Sequence, residues 1–170
     1  MGLFGTVREQ AAPVRVRAAV IGDADIVAKL AGALSLADGG RPSRFTAEAF
    51  RQDGFRQEPA FRVLLAEVAG EAVGYALYYP GYDSDRASRG VYLADLYVAP
   101  DARRKGAGRT LMKAVAQECS EAGGCWMFWS VLKRNRAGRR FYRTMAPELK
   151  DIVLCAAFGD SFDRLAGDKE

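Results

Sequence analysis

The chain has 170 residues, of which 49% are hydrophobic and 27% charged. That is one globular domain's worth of sequence, long enough to bury a core without disulfide staples. It holds no histidine and three cysteines, which excludes Ser-His-Asp and Cys-His catalysis, H-E-x-x-H zinc sites and a histidine general base. The cysteines form no C-x-x-C pair, so a disulfide framework is not expected, and a reducing cytoplasm is the expected location. No run of about 18 apolar residues reads as a membrane span. The start, MGLFGTVREQ, lacks the basic region and apolar stretch of a secretory signal. Met1-Gly2 with Thr6 fits a myristoylation pattern that matters only in a eukaryotic host.

The net charge of +4 is unevenly spread. Between Arg103 and Arg143 stand 11 lysines and arginines against only Glu118 and Glu121. A segment this basic suits a polyanion: nucleic acid, an anionic surface or a phosphorylated cosubstrate.

In chain order, Val14 to Val20 reads as a strand and Asp23 as the cap of a helix through Ile26, Val27, Leu30 and Leu34. Asp38 to Pro42 is a loop. Thr46 opens a short helix through Phe50 that Asp53-Gly54 stops. Phe61 to Val68 and Val73 to Tyr79 form a hairpin, and Gly81 to Gly90 reads as a polar connection. Val91 to Val98 is a strand. A helix is expected from Gly106 to Cys119, with Leu111, Val115 and Cys119 on one face. Cys125 to Leu132 reads as a buried strand. Asn135 caps a helix with Ala137, Phe141 and Met145 inward. Ile152 to Phe158 is read as a last strand, and 160–170 as a polar, frayed end. Hairpins come first and crossovers later, which predicts a mixed sheet.

The informative stretch is Tyr92-Leu-Ala-Asp-Leu-Tyr-Val-Ala-Pro-Asp-Ala-Arg103-Arg-Lys-Gly106-Ala-Gly108-Arg109. A strand runs into a glycine-bearing loop that opens a helix. Gly106 and Gly108 admit a ligand close to the backbone. The first N–H groups of the helix point outward at the positive end of its dipole, and Arg103, Arg104, Lys105 and Arg109 add charge around Ala107. Together these form a pyrophosphate cradle. A P-loop is absent, and a dinucleotide fold is disfavoured because the glycines come late in the chain.

This segment resembles motif A of the GNAT acetyltransferases, Q/R-x-x-G-x-G/A after a strand, with Arg103, Gly106 and Gly108 at the signature positions. Asn135-Arg-Ala-Gly-Arg-Arg-Phe141-Tyr142 is similar to the second family signature, N-x-x-A-x-x-F-Y. Ala76 to Tyr79, Tyr82-Asp83 and Tyr92 to Val98 look like the diamine (spermidine/spermine) acetyltransferase branch. Three positions depart from it. Gly138 stands where alanine is common, and Met145-Ala-Pro147 follows the tyrosine helix. Ala94 stands where the branch carries a glutamate base.

The resemblance implies a mixed α/β GNAT fold, in one domain over 1–170 with flexible termini at 1–13 and 160–170. Its central sheet is splayed between the strands at 91–98 and 125–132, with helices on both faces. It implies acetyl-CoA as donor, held in that splay by the backbones of Leu96, Tyr97 and Val98 and by the cradle, with Asn135 and Tyr142 contributing. Phe128, Trp129 and Ser130 on the facing strand, with Ala94 and Asp95, are the expected acceptor-side residues. Tyr78, Tyr79, Tyr82, Asp83 and Asp85 are further acceptor-side candidates. Tyr142 is the expected catalytic acid, because a phenol of pKa about 10 can protonate a departing thiolate.

The expected activity is acetyl transfer to a primary amine of a small, polyamine-like molecule by direct attack, without metal. The expected partners are that amine and a second copy of the chain, and neither nucleic acid nor membrane. Two alternatives are a protein lysine or N-terminal acetyltransferase, and a basic nucleic-acid-binding module on 103–143, against which its aromatics are read as interior. Strand alternation sends Asp95 away from the face of Ala94 unless a bulge intervenes, so the acceptor is expected to lose its proton to water chains or bulk solvent.

Overall fold

The computed structural model describes residues 12–40 and 42–167; the myristoylation pattern lies outside them, as do residues 1–11 of the expected flexible terminus and residues 168–170. The chain divides into two compact units, one ending at Leu132 and the other beginning at Lys133.

The first unit is built on a five-stranded sheet in the order β1-β2-β3-β4-β5. Its strands are β1 (Val14–Ala18), β2 (Arg62–Val68), β3 (Glu71–Asp83), β4 (Ser88–Val98) and β5 (Gly124–Trp129). The first four are antiparallel neighbours, and β5 runs parallel to β4. The sheet is therefore mixed, as hairpins followed by a crossover require.

Helices α1 (Ala24–Ala37) and α2 (Ala47–Gly54) cover one face, and α3 (Ala107–Glu121) covers the other. On the first face Val27, Leu30, Ala31 and Phe50 pack against Val63, Leu65, Tyr75, Leu77 and Tyr97. The alternate residues of β2 and β3, with Leu111, Met112 and Val115 of α3, are buried on the second. Each large side chain withdrawn this completely contributes roughly 1.5–3 kcal/mol. Phe45, Phe50, Phe55 and Phe61 meet in a chain of edge and tilted ring contacts that holds α2 to the strands.

Thr46 caps α2 through the Ala49 N–H, as expected. Asp23 does not cap α1. Its carboxylate closes a 3-10 turn by accepting from the Val20 N–H at 2.7 Å, and it grips the Arg17 guanidinium at 2.6 and 2.9 Å. A cation within reach outcompeted the helix N–H groups for the same oxygens.

The connection expected at 81–90 is instead strand, with only residues 84–87 turning. Gly81 and Gly90 are register partners, and a Cβ on Gly90 would meet the Trp126 indole at 2.0 Å. The glycines that read as loop punctuation are the seat of an aromatic ring. Strand β5 is shorter than 125–132 and is not buried. It forms an edge, and Cys125 and Phe128 are exposed on it.

The second unit holds α4 (Arg136–Tyr142) and α5 (Asp160–Ala166). Asn135 caps α4, accepting the Gly138 N–H at 2.8 Å. Ala137, expected to point inward, is exposed. The segment expected to be a last strand joins no sheet, and Ile152, Val153, Leu154 and Phe158 are 65–83% exposed. A strand needs a partner edge as well as β-forming residues, and this unit supplies none. The expected frayed end contains α5.

Candidate active site

Strands β4 and β5 pair only as far as Leu93↔Trp129, while β4 continues to Val98. Beyond Leu93, the side of β4 that faced β5 therefore presents unpaired backbone groups, which an extended arm can join as an added strand. Leu96 and Val98 are half-buried and Tyr97 is buried, so the side chains pack while the edge stays open.

From Val98 a 3-10 turn at Pro100–Ala102 leads into the cradle. Gly106 takes φ +92° at the N-cap of α3 and has no neighbouring atom where a Cβ would sit. No side chain caps this helix, and no acidic residue stands in its first turn. The first N–H groups lack acceptors within the helix, so this end retains a positive pole of the kind that favours anions. Arg103, Arg104, Lys105 and Arg109 are exposed around it. Arg103 is also a brace: its Nε donates to the Val98 carbonyl at 2.8 Å, and its guanidinium lies 5.9 Å from the centre of the Tyr97 ring.

The register against β3 passes from Leu77↔Asp95 to Tyr78↔Leu93, leaving Ala94 unpaired as a β-bulge. The extra residue reverses the alternation along β4. Leu93 pairs with Tyr78, whose hydroxyl donates to Glu118 on α3, whereas Asp95 pairs with Leu77 on the face covered by α1 and α2. Asp95 Oδ2 accepts a 2.8 Å hydrogen bond from the hydroxyl of the fully buried Tyr75.

Burial pushes the Asp95 carboxyl above the usual carboxylate range. The Tyr75 bond opposes that shift, and Asp38, just past α1, adds to it. The Tyr75 phenol is itself pushed up, first by burial and then by Asp95. The sequence reading missed Tyr75 and Asp38 as site residues. The bulge had a visible signal in the apolar positions, which keep a spacing of two at Val91 and Leu93, jump three to Leu96, and resume at Val98.

On the same face as Asp95, Tyr79 stacks on Tyr92 at 5.4 Å and Trp126 lies against Phe128 at 4.9 Å. The Tyr92 hydroxyl donates to Ser130 Oγ at 3.1 Å. The structure thus gathers Phe128 and Ser130 near the end of the β4–β5 ladder, whereas alternation turns Trp129 to the α3 side. Tyr78 also faces α3, and Asp83 is held by Arg86 in the β3–β4 turn. The aromatics of 103–143 are not all interior as expected, because Phe128 is 40% exposed. Two cavities of about 260 and 440 Å³ open near α3 and share Arg62, Tyr78 and Glu118. None of the expected cosubstrate or catalytic residues lines either one.

In the second unit Tyr142 is half-buried with its ring 5.3 Å from that of Phe141. A Cβ at Gly138 would meet the Asn135 side chain at 2.8–3.0 Å, so the departure from alanine makes room for the cap. Glu148 accepts two hydrogen bonds from Arg139, at 2.8 and 2.7 Å, and two longer ones from Arg143. These arginines, Arg139 first, hold its carboxyl at about 2.

Of the cysteines, Cys119 is buried and its thiol is pushed up by that burial, while Cys125 and Cys155 are exposed. Among the described residues no group of three or more His, Cys, Asp or Glu is placed to hold a metal, and no helix is long and apolar enough to cross a membrane.

A sheet parted at its fourth strand and running into an uncapped, glycine-led helix offers an open backbone edge beside a positive helix end. Residues 31–146 match the acetyltransferase (GNAT) family. The thialysine N-epsilon-acetyltransferase of Sus scrofa is 35% identical over 136 residues, covering 73% of this chain and 79% of that protein. A spermidine/spermine N(1)-acetyltransferase-like protein of Homo sapiens is 32% identical over 104 residues, covering 57% of this chain and 15% of that protein. An integron cassette protein from the mobile metagenome of V. cholerae superposes with a TM-score of 0.76 at 21% identity, covering 90% of this chain and 97% of that one. The chain belongs to the GNAT family of N-acetyltransferases.

Proposed function

We propose that this acetyltransferase takes its acetyl group from acetyl-CoA and passes it to a primary amine of a small, polyamine-like molecule, by direct attack while both are bound. The observation that carries the reading is the continuity of the open β4 edge, residues 94–98, with the uncapped start of α3. The pantetheine arm joins the edge as a strand, and its pyrophosphate meets the N–H groups of residues 106–109 beside Arg104, Lys105 and Arg109. A backbone N–H of residues 96–98 polarises the thioester carbonyl, a contribution of the kind worth several kcal/mol at other acyl-transfer sites.

Tyr142 protonates the departing thiolate; its warrant is its place in the Asn135–Tyr142 signature. Asp95, Phe128 and Ser130 stand on the acceptor side, whereas Trp129, turned towards α3, does not. Names of relatives support the acceptor class, since the thialysine enzyme and an L-ornithine N5-acetyltransferase of Arabidopsis thaliana are named for small-molecule amines. Three free thiols support a reducing, cytoplasmic setting. The exposed apolar run of the second unit supports a homodimer.

The test is thermal unfolding with and without acetyl-CoA, followed by a panel of amines and peptides with detection of free thiol. Acetyl-CoA raises the Tm of the wild type. Gly108→Val abolishes the rise, because a branched side chain fills the space needed by the pyrophosphate. Equal stabilisation of the two proteins refutes the cradle, and turnover of peptides in preference to small amines refutes the acceptor class.

A further inference from the structure

We infer that Asp95 is the general base that takes the proton from the acceptor amine, a role made available by the β-bulge at Ala94. The inference rests on the acetyl-transfer reading above and assigns a residue that reading leaves open.

An amine acceptor of pKa near 10 is almost wholly ammonium at neutral pH and must lose a proton before it can attack. The chain has no histidine, and alanine at 94 has nothing to accept a proton. In an unbroken strand Asp95 would share the face of Leu93, against α3. The bulge turns it to the α1–α2 face, at the point where β4 leaves β5 and its backbone edge opens. One extra residue therefore brings a carboxylate to the mouth of the splay.

The surroundings suit the role. Tyr75, from β3, occupies one carboxylate oxygen with a single neutral hydrogen bond at 2.8 Å and fixes the orientation of the group. Asp38, at the end of α1, adds a second negative charge that disfavours a lone carboxylate and draws an ammonium ion. Beyond the end of β4, Arg103 is engaged by the Val98 carbonyl and the Tyr97 ring. Burial and Asp38 raise the proton affinity of Asp95 towards that of the acceptor, in the direction a useful base requires.

In the step itself the ammonium gives one proton to Asp95, and the freed nitrogen pair attacks the thioester carbon. The C–N bond forms and the C–S bond breaks. The nitrogen's second proton balances the one taken up by the departing CoA sulfur. Asp95 then releases its proton to solvent.

The experiment is kcat/KM against pH with the best amine of the panel, together with the acetyl-CoA-dependent rise in Tm. The wild-type profile climbs and then levels off, with its acid limb above the ordinary carboxylate range. Asp95→Asn, which can still accept from Tyr75, lowers kcat/KM at pH 7 by roughly 10²-fold and loses the plateau, so that its rate climbs towards the acceptor's own pKa. Its acetyl-CoA response is unchanged. Tyr75→Phe keeps the limb but moves it to higher pH, because it removes the hydrogen bond that favours the charged carboxylate. A wild-type profile that climbs without a plateau, or an Asp95→Asn profile that matches the wild type, overturns the assignment even if acetyl-CoA stabilises every protein equally. A wild-type chain that acetyl-CoA does not stabilise overturns both readings.

Discussion

Asn135 and Tyr142 share one short helix and one sequence signature, yet their physical duties differ. The side chain of Asn135 is accounted for by capping, since its oxygen takes the Gly138 N–H and such a cap is worth about 1 kcal/mol. Tyr142 carries a hydroxyl that packing alone does not require. Replacing it with phenylalanine keeps the ring and removes only the proton donor. Tyr142→Phe is therefore expected to lower kcat by roughly 10²-fold with little change in acetyl-CoA affinity, read from steady-state kinetics beside the thermal shift. A kcat within a factor of two of wild type assigns the tyrosine to packing.

At the scale of elements, Arg17 ties β1 to its neighbours. Its Nε donates to Glu67 on β2 at 2.7 Å, while its other nitrogens hold Asp23 at the entry to α1. The Arg17 bond is the main cause that holds the Asp23 carboxyl below its usual range. A carboxylate with a depressed folded-state pKa adds stability above its unfolded pKa, about 3.9, and loses it as pH falls towards the folded value. Arg17 is 41% exposed, so solvent screening limits the pair to about 1 kcal/mol. Asp23→Asn should lower Tm at pH 7, and the gap to the wild type should narrow as pH falls below about 4, as followed by circular dichroism. A deficit that persists undiminished at pH 3 means that shape rather than charge makes the contact.

Across the whole molecule two surface features stand out. The part of the basic segment that lies in the second unit is partly neutralised there, because Glu148 engages Arg139 and Arg143 at once; the charged cradle residues of the first unit are exposed. The other feature is apolar. Leu149, Ile152, Val153, Leu154, Phe158, Phe162 and Leu165 are all more than half exposed, in a stretch where a lone chain gains nothing from them. Exposed apolar surface is what an interface covers when it is contiguous, and a stable interface buries about 800 Å² per partner. The wild type is expected to sediment as a dimer at micromolar concentration, and Ile152→Asp with Leu154→Asp as a monomer. A monomeric wild type refutes the homodimer.

The sequence by itself determined what depends on neighbours in the chain. A strand, two glycines and a basic helix start lie within one short span, and they specify the cradle locally because backbone freedom, caps and helix polarity are local properties. The helices, the mixed sheet and the family followed from the same kind of pattern. Tertiary structure decided what depends on partners distant in sequence. Gly81 and Gly90 read as breaks until Trp126 is seen resting on them. Asp23 read as a cap until Arg17 competed for it. Residues 152–158 carry strand-forming side chains, but a strand exists only where another edge receives its hydrogen bonds. Asp95 shows both sides. The phase slip from Leu93 to Leu96 was present in the sequence, but the bond to Tyr75 and the charge of Asp38 exist only because the sheet pairs β3 with β4 and α1 ends beside them.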